Sequence, residues 1–160
     1  MITSEQRGSL TDRRRVSRGG RRAQDRVGTY PPVLVADSYD GVRMSCSRYL
    51  DRFNFQVLQA TDGEQALACI NAEAPQVILT ELNLPEMPAW RLAQWLSQNW
   101  RTRQIPVIVL AAGLEPGTNQ DFQSLVAGVL LKPFQLQTML GEIRRVLRAP
   151  DRAESNQTRI

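Results

Sequence analysis

The chain has 160 residues, 42% of them apolar, and a formal net charge of +4. This length and apolar content predict one compact domain, and no apolar run approaches the roughly 18 residues of a membrane-spanning helix. The absence of histidine excludes histidine phosphotransfer by this chain, histidine acid–base chemistry and histidine-ligated metal. We therefore expect a soluble, cytoplasmic protein with no membrane partner.

Charge is distributed unevenly along the sequence. Residues 1–30 contain eight arginines against three acids, a net charge of +5, whereas residues 31–160 carry twelve basic and thirteen acidic residues, a net charge of −1. With so few apolar residues the first segment cannot bury enough surface to fold, which predicts a disordered Arg-rich arm. Three interpretations of the arm stay open: a solvated tail or wrongly assigned start, a nucleic-acid contact through residues 7–26, or an organellar targeting segment, which its acids disfavour.

Five short apolar segments alternate with helical patterns in the rest of the chain. The strands are predicted at residues 33–37, 55–60, 76–81, 106–110 and 128–132. The helices are predicted to begin with Asp40 as N-cap, at Asp62-Gly63, at Pro88, near Asn119 and at Leu136. This alternation predicts an α/β domain at residues 31–148, with a parallel sheet wound right-handedly and helices on both faces, and a disordered tail at residues 149–160.

Four residues stand at or just after the ends of predicted strands: Asp37, Glu81, Ala111 and Lys132. Parallel strands bring their carboxyl ends to one edge of the sheet, where open α/β folds bind ligands, so these residues predict a site. Lys132 is the only lysine beside nineteen arginines. A lone lysine indicates a position that needs a compact ammonium rather than a planar guanidinium.

The aromatic and thiol side chains of the predicted helices are less specific. Trp90, Trp95 and Trp100 are spaced by five residues, so successive side chains turn by about 140° and at least one should be exposed. The sequence leaves open whether they are ordinary helix cover or a partner-binding patch. Cys46 and Cys69 lack metal-type spacing and fall in predicted helices, which predicts buried free thiols.

Four segments together resemble the receiver domains of two-component response regulators. They are VLVADSYDGVR at residues 33–43, LNLPEMPAWRL at 82–92, IPVIVLAA at 105–112 and LLKPF at 130–134. The resemblance runs from Val33 to Leu147 and implies a flavodoxin-like, receiver-type sheet with the strand order 2-1-3-4-5.

The resemblance also implies roles for the strand-end residues. In that family an acidic pair after the first strand and a phosphoacceptor aspartate after the third bind Mg²⁺. Asp37 matches the first acid, Ser38 replaces the second, and Glu81 occupies the phosphoacceptor position. Asn83 stands where a backbone carbonyl would bind the metal. The loss of one carboxylate implies weak Mg²⁺ binding at most, through Asp37, Glu81 and Asn83, and we expect no metal or other cofactor.

The remaining positions of the family pattern concern its switch. A hydroxyl residue after the fourth strand and a lysine after the fifth contact the phosphoryl group in the family. Ala111 replaces the hydroxyl, Val129 replaces the aromatic residue that reports activation, and Lys132-Pro133 is retained, with a peptide bond that is cis in relatives. These departures imply a degenerate receiver rather than an enzyme. We hypothesise that Glu81 and Lys132 form a permanent ion pair, the alternative being drifted residues kept for packing and solubility.

The resemblance predicts a stand-alone interaction module of two-component signalling that acts without phosphorylation. Its partner would be another signalling protein, such as a kinase, a regulator or an output protein. The expected contact face is the fourth helix, fifth strand and fifth helix, with Arg144, Arg145 and Arg148. The alternatives are an active phosphoacceptor using Glu81 and a nucleic-acid-associated regulator using the arm. A flavodoxin-type enzyme is disfavoured because no Gly-rich or Ser/Thr-rich phosphate loop follows Asp37, and the sequence leaves the oligomeric state open.

Overall fold

The computed structural model of the protein describes residues 32–113 and 120–148. The predicted arm at residues 1–30 and tail at residues 149–160 lie outside the described residues. The strands are β1 (Val33–Ala36), β2 (Val57–Ala60), β3 (Val77–Glu81), β4 (Val107–Ala111) and β5 (Gly128–Leu131). The helices are α1 (Asp40–Asp51), α2 (Gly63–Glu73), α3 (Ala89–Ser97), α4 (Gln120–Leu125) and α5 (Leu136–Arg148).

All neighbouring strands are parallel, and their order is β2-β1-β3-β4-β5. The predicted fold class and strand order are therefore confirmed. The three central strands β1, β3 and β4 are buried along their whole length except at Glu81. Strands buried on both faces favour apolar residues at nearly every position, which explains their runs of Val, Ile, Leu and Ala; in β3 the run ends at the buried Thr80.

Two hydrophobic clusters cover the two faces of the sheet. The first contains Leu34 and Ile78 of the sheet with buried residues of α2, α3 and α4. The second contains Val35 and Leu79 with buried residues of α1 and α5. Successive side chains of a strand point to opposite faces, so each central strand contributes to both clusters.

The ends of the elements differ from the sequence prediction at several points. Asp40 is the first residue of α1, and Tyr39 precedes it in an extended conformation as N-cap, without a side-chain cap. The prediction of Asp40 as N-cap is therefore wrong, because its carboxylate pairs with Arg43 instead. The second strand begins at Val57 rather than Phe55, since Asn54 has a positive φ of 65° and Phe55 is still buried in the turn. The helix α4 spans Gln120–Leu125, which is shorter than the helix from near Asn119 to Ala127 that the sequence pattern predicts.

The predicted start of α2 and the predicted exposure of a tryptophan are confirmed. Asp62 caps α2, its side chain accepting a hydrogen bond from the backbone N–H of Gln65. Trp90 and Trp100 are exposed, by 52% and 72%, whereas Trp95 packs against the first cluster. Both cysteines are free, as predicted, but only Cys46 is buried; Cys69 is half-buried, so the prediction of a buried thiol is wrong for Cys69. Among the residues that the structure describes, no helix is both long and apolar enough to cross a membrane.

The N-terminus of α2 touches the loop between β3 and α3. A Cβ atom at Gly63 would lie 2.2 Å from Cβ of Met87 and 2.9 Å from its backbone nitrogen. The backbone N–H of Gly63 also donates to the carbonyl of Pro85 at 2.9 Å. A side chain at Gly63 would therefore have to displace the loop that follows Glu81.

Replacement of Gly63 by alanine should destabilise the domain although alanine is the better helix former. We expect Gly63→Ala to lower the free energy of unfolding by about 1–3 kcal/mol, the usual cost of overpacking. Gly141, in the middle of α5, is the matched control because a Cβ there meets nothing within 4 Å. Gly141→Ala should raise the free energy of unfolding by about 0.5–1 kcal/mol in urea denaturation. Stabilisation by both changes would contradict the tight contact at Met87.

Candidate functional site

The candidate site lies at the carboxyl edge of the sheet, where four strands end. Ala36 of β1 pairs with Thr80 of β3. The next residue on each strand is Asp37 and Glu81, so these two residues lie side by side at the carboxyl edge. Ala111 of β4 pairs with Leu131 of β5, and the backbone N–H of Lys132 donates to the carbonyl of Ala111 at 2.7 Å. The parallel register thus brings the predicted strand-end residues to one edge.

Lys132 pairs with Asp37. Its Nζ lies 2.6 Å from Oδ2 of Asp37, and the two side chains are 23% and 0% exposed. The other oxygen of Asp37, Oδ1, accepts a hydrogen bond from the backbone N–H of Tyr39 at 2.9 Å. Both oxygens of this buried carboxylate are therefore engaged, as a buried charge requires.

Glu81 binds Ser38 rather than Lys132. Its Oε2 accepts hydrogen bonds from the backbone N–H of Ser38 at 2.9 Å and from the Ser38 hydroxyl at 2.8 Å. The hypothesised Glu81–Lys132 ion pair does not form, because the ammonium reaches the end of β1 instead. An acid in place of Ser38 would repel Glu81, whereas the serine donates two hydrogen bonds to it. The two departures from the family pattern are chemically complementary.

Arg43 is a site residue that the sequence reasoning did not single out. Its side chain is buried, and Nη1 donates to the backbone carbonyl of Asp37 at 2.6 Å while Nη2 pairs with Asp40. Arg43 therefore fixes the turn that carries Asp37 and Ser38. The available signal was an arginine three residues after an acid at a helix start, a spacing that brings the two side chains together.

The other predicted positions add no ionised group to the candidate site. Asn83 is exposed in the turn after β3, and Ala111 is buried with no hydroxyl to offer. Val129 is 46% exposed on β5. The Lys132–Pro133 peptide bond is cis, as the resemblance implies.

The three arginines of α5 that the sequence predicted as a partner face have three different environments. The Arg144 guanidinium lies over the Phe53 ring at 5.4 Å, next to α1. Arg145 binds Glu142 at 2.8 Å and the carbonyl of Ala127 at 2.7 Å, and its hydrogen bond lowers the pKa of the Glu142 carboxyl. Arg148 is exposed at the end of the helix. Two of the three are thus engaged within the chain.

The comparisons with known proteins agree with this geometry. The family model of the response regulator receiver domain matches residues 33–144. The chain belongs to this family. It is 27% identical to the chemotaxis response regulator CheY4 of Vibrio cholerae, with a TM-score of 0.68, over 74% of this chain and 99% of that one. The receiver domain of the Francisella response regulator 1452, at 23% identity and a TM-score of 0.65, has the same fold.

Two curated relatives are longer proteins. The DNA-binding dual master transcriptional regulator RpaA of Synechocystis sp. is 32% identical over 123 residues, which are 76% of this chain and 51% of RpaA. The transcriptional regulatory protein SrrA of Staphylococcus aureus is 29% identical over 117 residues, 72% of this chain and 47% of SrrA. The chain therefore spans about half the length of these relatives.

The side chains of this receiver domain do not fit the Mg²⁺ ion that the family implies. Mg²⁺ requires hard oxygen ligands in nearly octahedral geometry. Both oxygens of Asp37 are already engaged, and one oxygen of Glu81 accepts two hydrogen bonds from Ser38. Within residues 32–113 and 120–148, no three or more Asp, Glu, His or Cys residues form a metal-binding group.

Lys132→Met should destabilise the receiver domain because it leaves the buried Asp37 carboxylate without its cation. Breaking a buried pair on one side costs about 3–5 kcal/mol, and the partial exposure of Lys132 predicts the lower end of that range. Asp37→Asn in the same chain should recover part of the loss, since no unpaired charge is left. Urea denaturation of the wild type, of Lys132→Met, of Asp37→Asn and of the double variant should give a coupling free energy of at least about 1 kcal/mol. Strictly additive losses would contradict the pairing.

The two thiols should differ in reactivity. Burial, together with the negative charge of Asp37, raises the pKa of Cys46 to about 11, and this side chain is 1% exposed. Burial also raises the pKa of Cys69, which is only half-buried. Because the thiolate is the nucleophile, alkylation of both should accelerate as pH rises, with Cys69 reacting first at every pH below the pKa of Cys46. Mass spectrometry after iodoacetamide treatment of the native chain and of Cys69→Ser would check this, and rapid labelling of Cys46 in Cys69→Ser would contradict it.

Proposed function

We propose that this receiver domain acts in two-component signalling as a protein-interaction module that does not depend on phosphorylation. The observation that carries the proposal is a pocket whose charges are satisfied by its own side chains. Lys132 neutralises Asp37, and Ser38 holds Glu81. Family membership supports the signalling role, and the pocket chemistry supports the independence from phosphate.

Charge is the first obstacle to phosphoryl transfer. The family pattern has three acids beside one lysine, whereas this pocket has Asp37 and Glu81 beside Lys132, so its net charge changes from −2 to −1. A unit charge at 4 Å contributes up to about 4 kcal/mol at an effective dielectric constant of 20, before solvent screening is discounted. Mg²⁺ affinity should therefore fall by orders of magnitude.

Geometry is the second obstacle. Glu81 is one methylene longer than aspartate, and its Oε2 is held by Ser38. A displacement of about 1 Å can reduce a reaction rate by about 100-fold. Ala111 also supplies no hydroxyl to stabilise the transferring group, so the pocket lacks a donor that the family pattern has. Each of these features disfavours phosphoryl transfer.

The proposed partner is another signalling protein: a kinase, a regulator or an output protein. The surface offered by α4, β5 and α5 includes Val129 and Leu131, which are 46% and 50% exposed on β5. Apolar side chains exposed beside polar ones are typical of contact surfaces. Arg148 is exposed at the end of α5, whereas Arg144 contacts Phe53 and Arg145 pairs with Glu142, so among these three arginines we expect Arg148 to be the most available to a partner.

The direct test is incubation of the purified chain with acetyl phosphate and Mg²⁺, followed by intact-mass spectrometry. We expect no added phosphoryl group, because the pocket does not assemble the metal and the nucleophile. The matched control is Ser38→Asp/Glu81→Asp/Ala111→Thr, which restores the family residues and should gain a measurable Mg²⁺-dependent adduct. A stoichiometric adduct on Glu81 of the unmodified chain would overturn the proposal and favour an active phosphoacceptor.

A further inference from the structure

The helices α1 and α5 are neighbours on one face of the sheet, and both contribute buried side chains to the second hydrophobic cluster. They run in the same direction, because each follows a parallel strand and so begins at the carboxyl edge of the sheet and ends at the opposite, amino edge. The Arg144 guanidinium of α5 lies 5.4 Å from the centre of the Phe53 ring, just beyond the end of α1. This contact shows which flanks of the two helices face one another.

Two arginines of α5 lie on the side that faces α1. Arg148 follows Arg144 by four residues, so the two side chains lie on the same side of the helix, one turn apart. Both residues are exposed. Arg145 turns the other way, toward β5, where it bonds the carbonyl of Ala127 and pairs with Glu142.

Two arginines of α1 lie next to the flank that faces α5. That flank is marked by Tyr49 and Phe53, whose ring centres are 5.1 Å apart. Arg48 and Arg52 each precede one of these rings by one residue, and both arginines are exposed. Because Leu50, which follows Tyr49, is fully buried, the residue before each ring lies on the outer side of the flank.

The four exposed arginines line the groove between the two helices, and we call them the α1–α5 arginine cluster: Arg48, Arg52, Arg144 and Arg148. Arg144 lies at the level of Phe53, the residue after Arg52. Since four residues of helix span roughly 6 Å, the cluster extends over roughly 13 Å toward the amino edge.

The positive charge of the cluster is largely uncompensated. The ion pairs between described residues are Arg43–Asp40, Lys132–Asp37 and Arg145–Glu142. None of these pairs involves the cluster. Asp51, three residues after Arg48, is the one acid in the last turn of α1, and it lies on the side turned away from α5. Four positive charges and one negative charge leave a net charge of +3 at this end of the two helices.

The helix dipole explains only part of this pattern. The carboxyl end of a helix carries a partial negative charge, which favours arginine in the last turns of α1 and α5. It does not explain why Arg145, which turns toward β5, has an acidic partner while the arginines along the groove have none among the described residues. Like charges in a group repel one another, so a bound anion would stabilise the cluster.

We propose that the α1–α5 arginine cluster binds the phosphate backbone of double-helical nucleic acid, without preference for base sequence. A guanidinium presents a planar set of donors that bonds phosphate oxygens in pairs. One strand of a duplex carries a negative charge about every 3.4 Å along its axis, so a cluster of roughly 13 Å spans about four phosphates. The number and the spacing of the arginines match this partner.

The aromatic residues of the groove favour a duplex over a single strand. Proteins that bind single strands stack the bases on exposed aromatic rings. Tyr49 and Phe53 are only partly exposed, they contact each other, and Phe53 lies under Arg144. Because both rings are engaged within the chain, the surface offers charge rather than a stacking platform.

The neighbours of the cluster favour nucleic acid over an acidic protein. On the same sides of the helices, Ser45, Gln137 and Gly141 are exposed, and they are small or polar. Among the described residues of α1 and α5, Met44 is the only large apolar side chain that is exposed. Protein interfaces depend mostly on a buried apolar or aromatic centre, which this surface lacks. Contact with phosphates needs only the charge.

Titration of a labelled, short DNA duplex of mixed sequence with the full chain, followed by fluorescence anisotropy, tests the inference. Each phosphate contact contributes about −0.9 to the slope of the logarithm of the association constant against the logarithm of the salt concentration. Four contacts predict a slope of about −3.6 or steeper, so the association constant should fall by at least about 100-fold between about 50 and 200 mM salt.

The decisive variant is Arg48→Gln/Arg52→Gln/Arg148→Gln, which removes three charges of the cluster and keeps the contact between Arg144 and Phe53. It should lower the association constant at low salt by at least about tenfold and make the slope less steep by about three. All three replaced residues are exposed, so urea denaturation should show wild-type stability.

The matched control is Arg91→Gln/Arg101→Gln/Arg103→Gln. It removes the same charge from three exposed arginines of α3 and the turn after it, and α3 covers the other face of the sheet. Its association constant and slope should stay close to those of the wild type. Residues 1–30, with their net charge of +5, are identical in all three chains, so their contribution cancels from the comparison.

Three results would overturn the inference. The first is no binding of the duplex at any salt concentration tested. The second is equal weakening by the two triple variants, because net charge alone would then attract the duplex. The third is tighter binding of the separated single strand or of polyglutamate, which would identify a different class of partner. None of these measurements involves the pocket, so their outcome does not bear on the proposed function.

Discussion

The pairing of Asp37 with Lys132 is the constraint on which the pocket depends. In the sheet, β3 and β4 lie between the strands that carry these residues, so the ion pair crosses the carboxyl edge. An unpaired carboxylate as buried as Asp37 would be strongly destabilising, whereas the lysine supplies both a charge and a hydrogen bond. Arg43 holds the backbone of Asp37 from the other side. The only lysine of the chain is thus committed to a structural contact that a phosphoryl group would have to compete for.

Ser38 and Glu81 both depart from the family pattern, and a direct contact links the two changes. A longer carboxylate on β3 reaches toward β1, and a serine there meets it with two donors. Either change alone would leave a less favourable pocket: an acid facing Glu81 across the pocket, or a serine facing a shorter aspartate. The pair removes a metal ligand and adds a contact between adjacent strands. On the proposed function, the loss of reactivity and the gain of a local contact come from the same two side chains.

Much of the fold could be predicted because it depends on patterns that persist over many residues. The apolar runs of β1, β3 and β4 predict strands buried on both faces, and their alternation with amphipathic segments predicts the parallel sheet. Strand order came from the family resemblance. The partner of Lys132 could not be predicted. Its flexible side chain could pair with either Asp37 or Glu81, and differences of a few ångströms in their positions decide which pair forms. The start of α1 was misplaced for a similar reason: Asp40 is a good cap by type, but its carboxylate has a stronger partner in Arg43.

One loop connects the candidate site to the helices α2 and α3. This loop begins after Glu81, contacts Gly63 at the start of α2 through Pro85 and Met87, and ends at the start of α3. A loop can shift between two arrangements where a ligand binds one of them more tightly than the other. Here Glu81, which directly precedes the loop, accepts two hydrogen bonds from Ser38, so the start of the loop is held without a ligand. On the proposed function, the loop has one arrangement, and binding of a partner depends on the concentration of that partner rather than on phosphate.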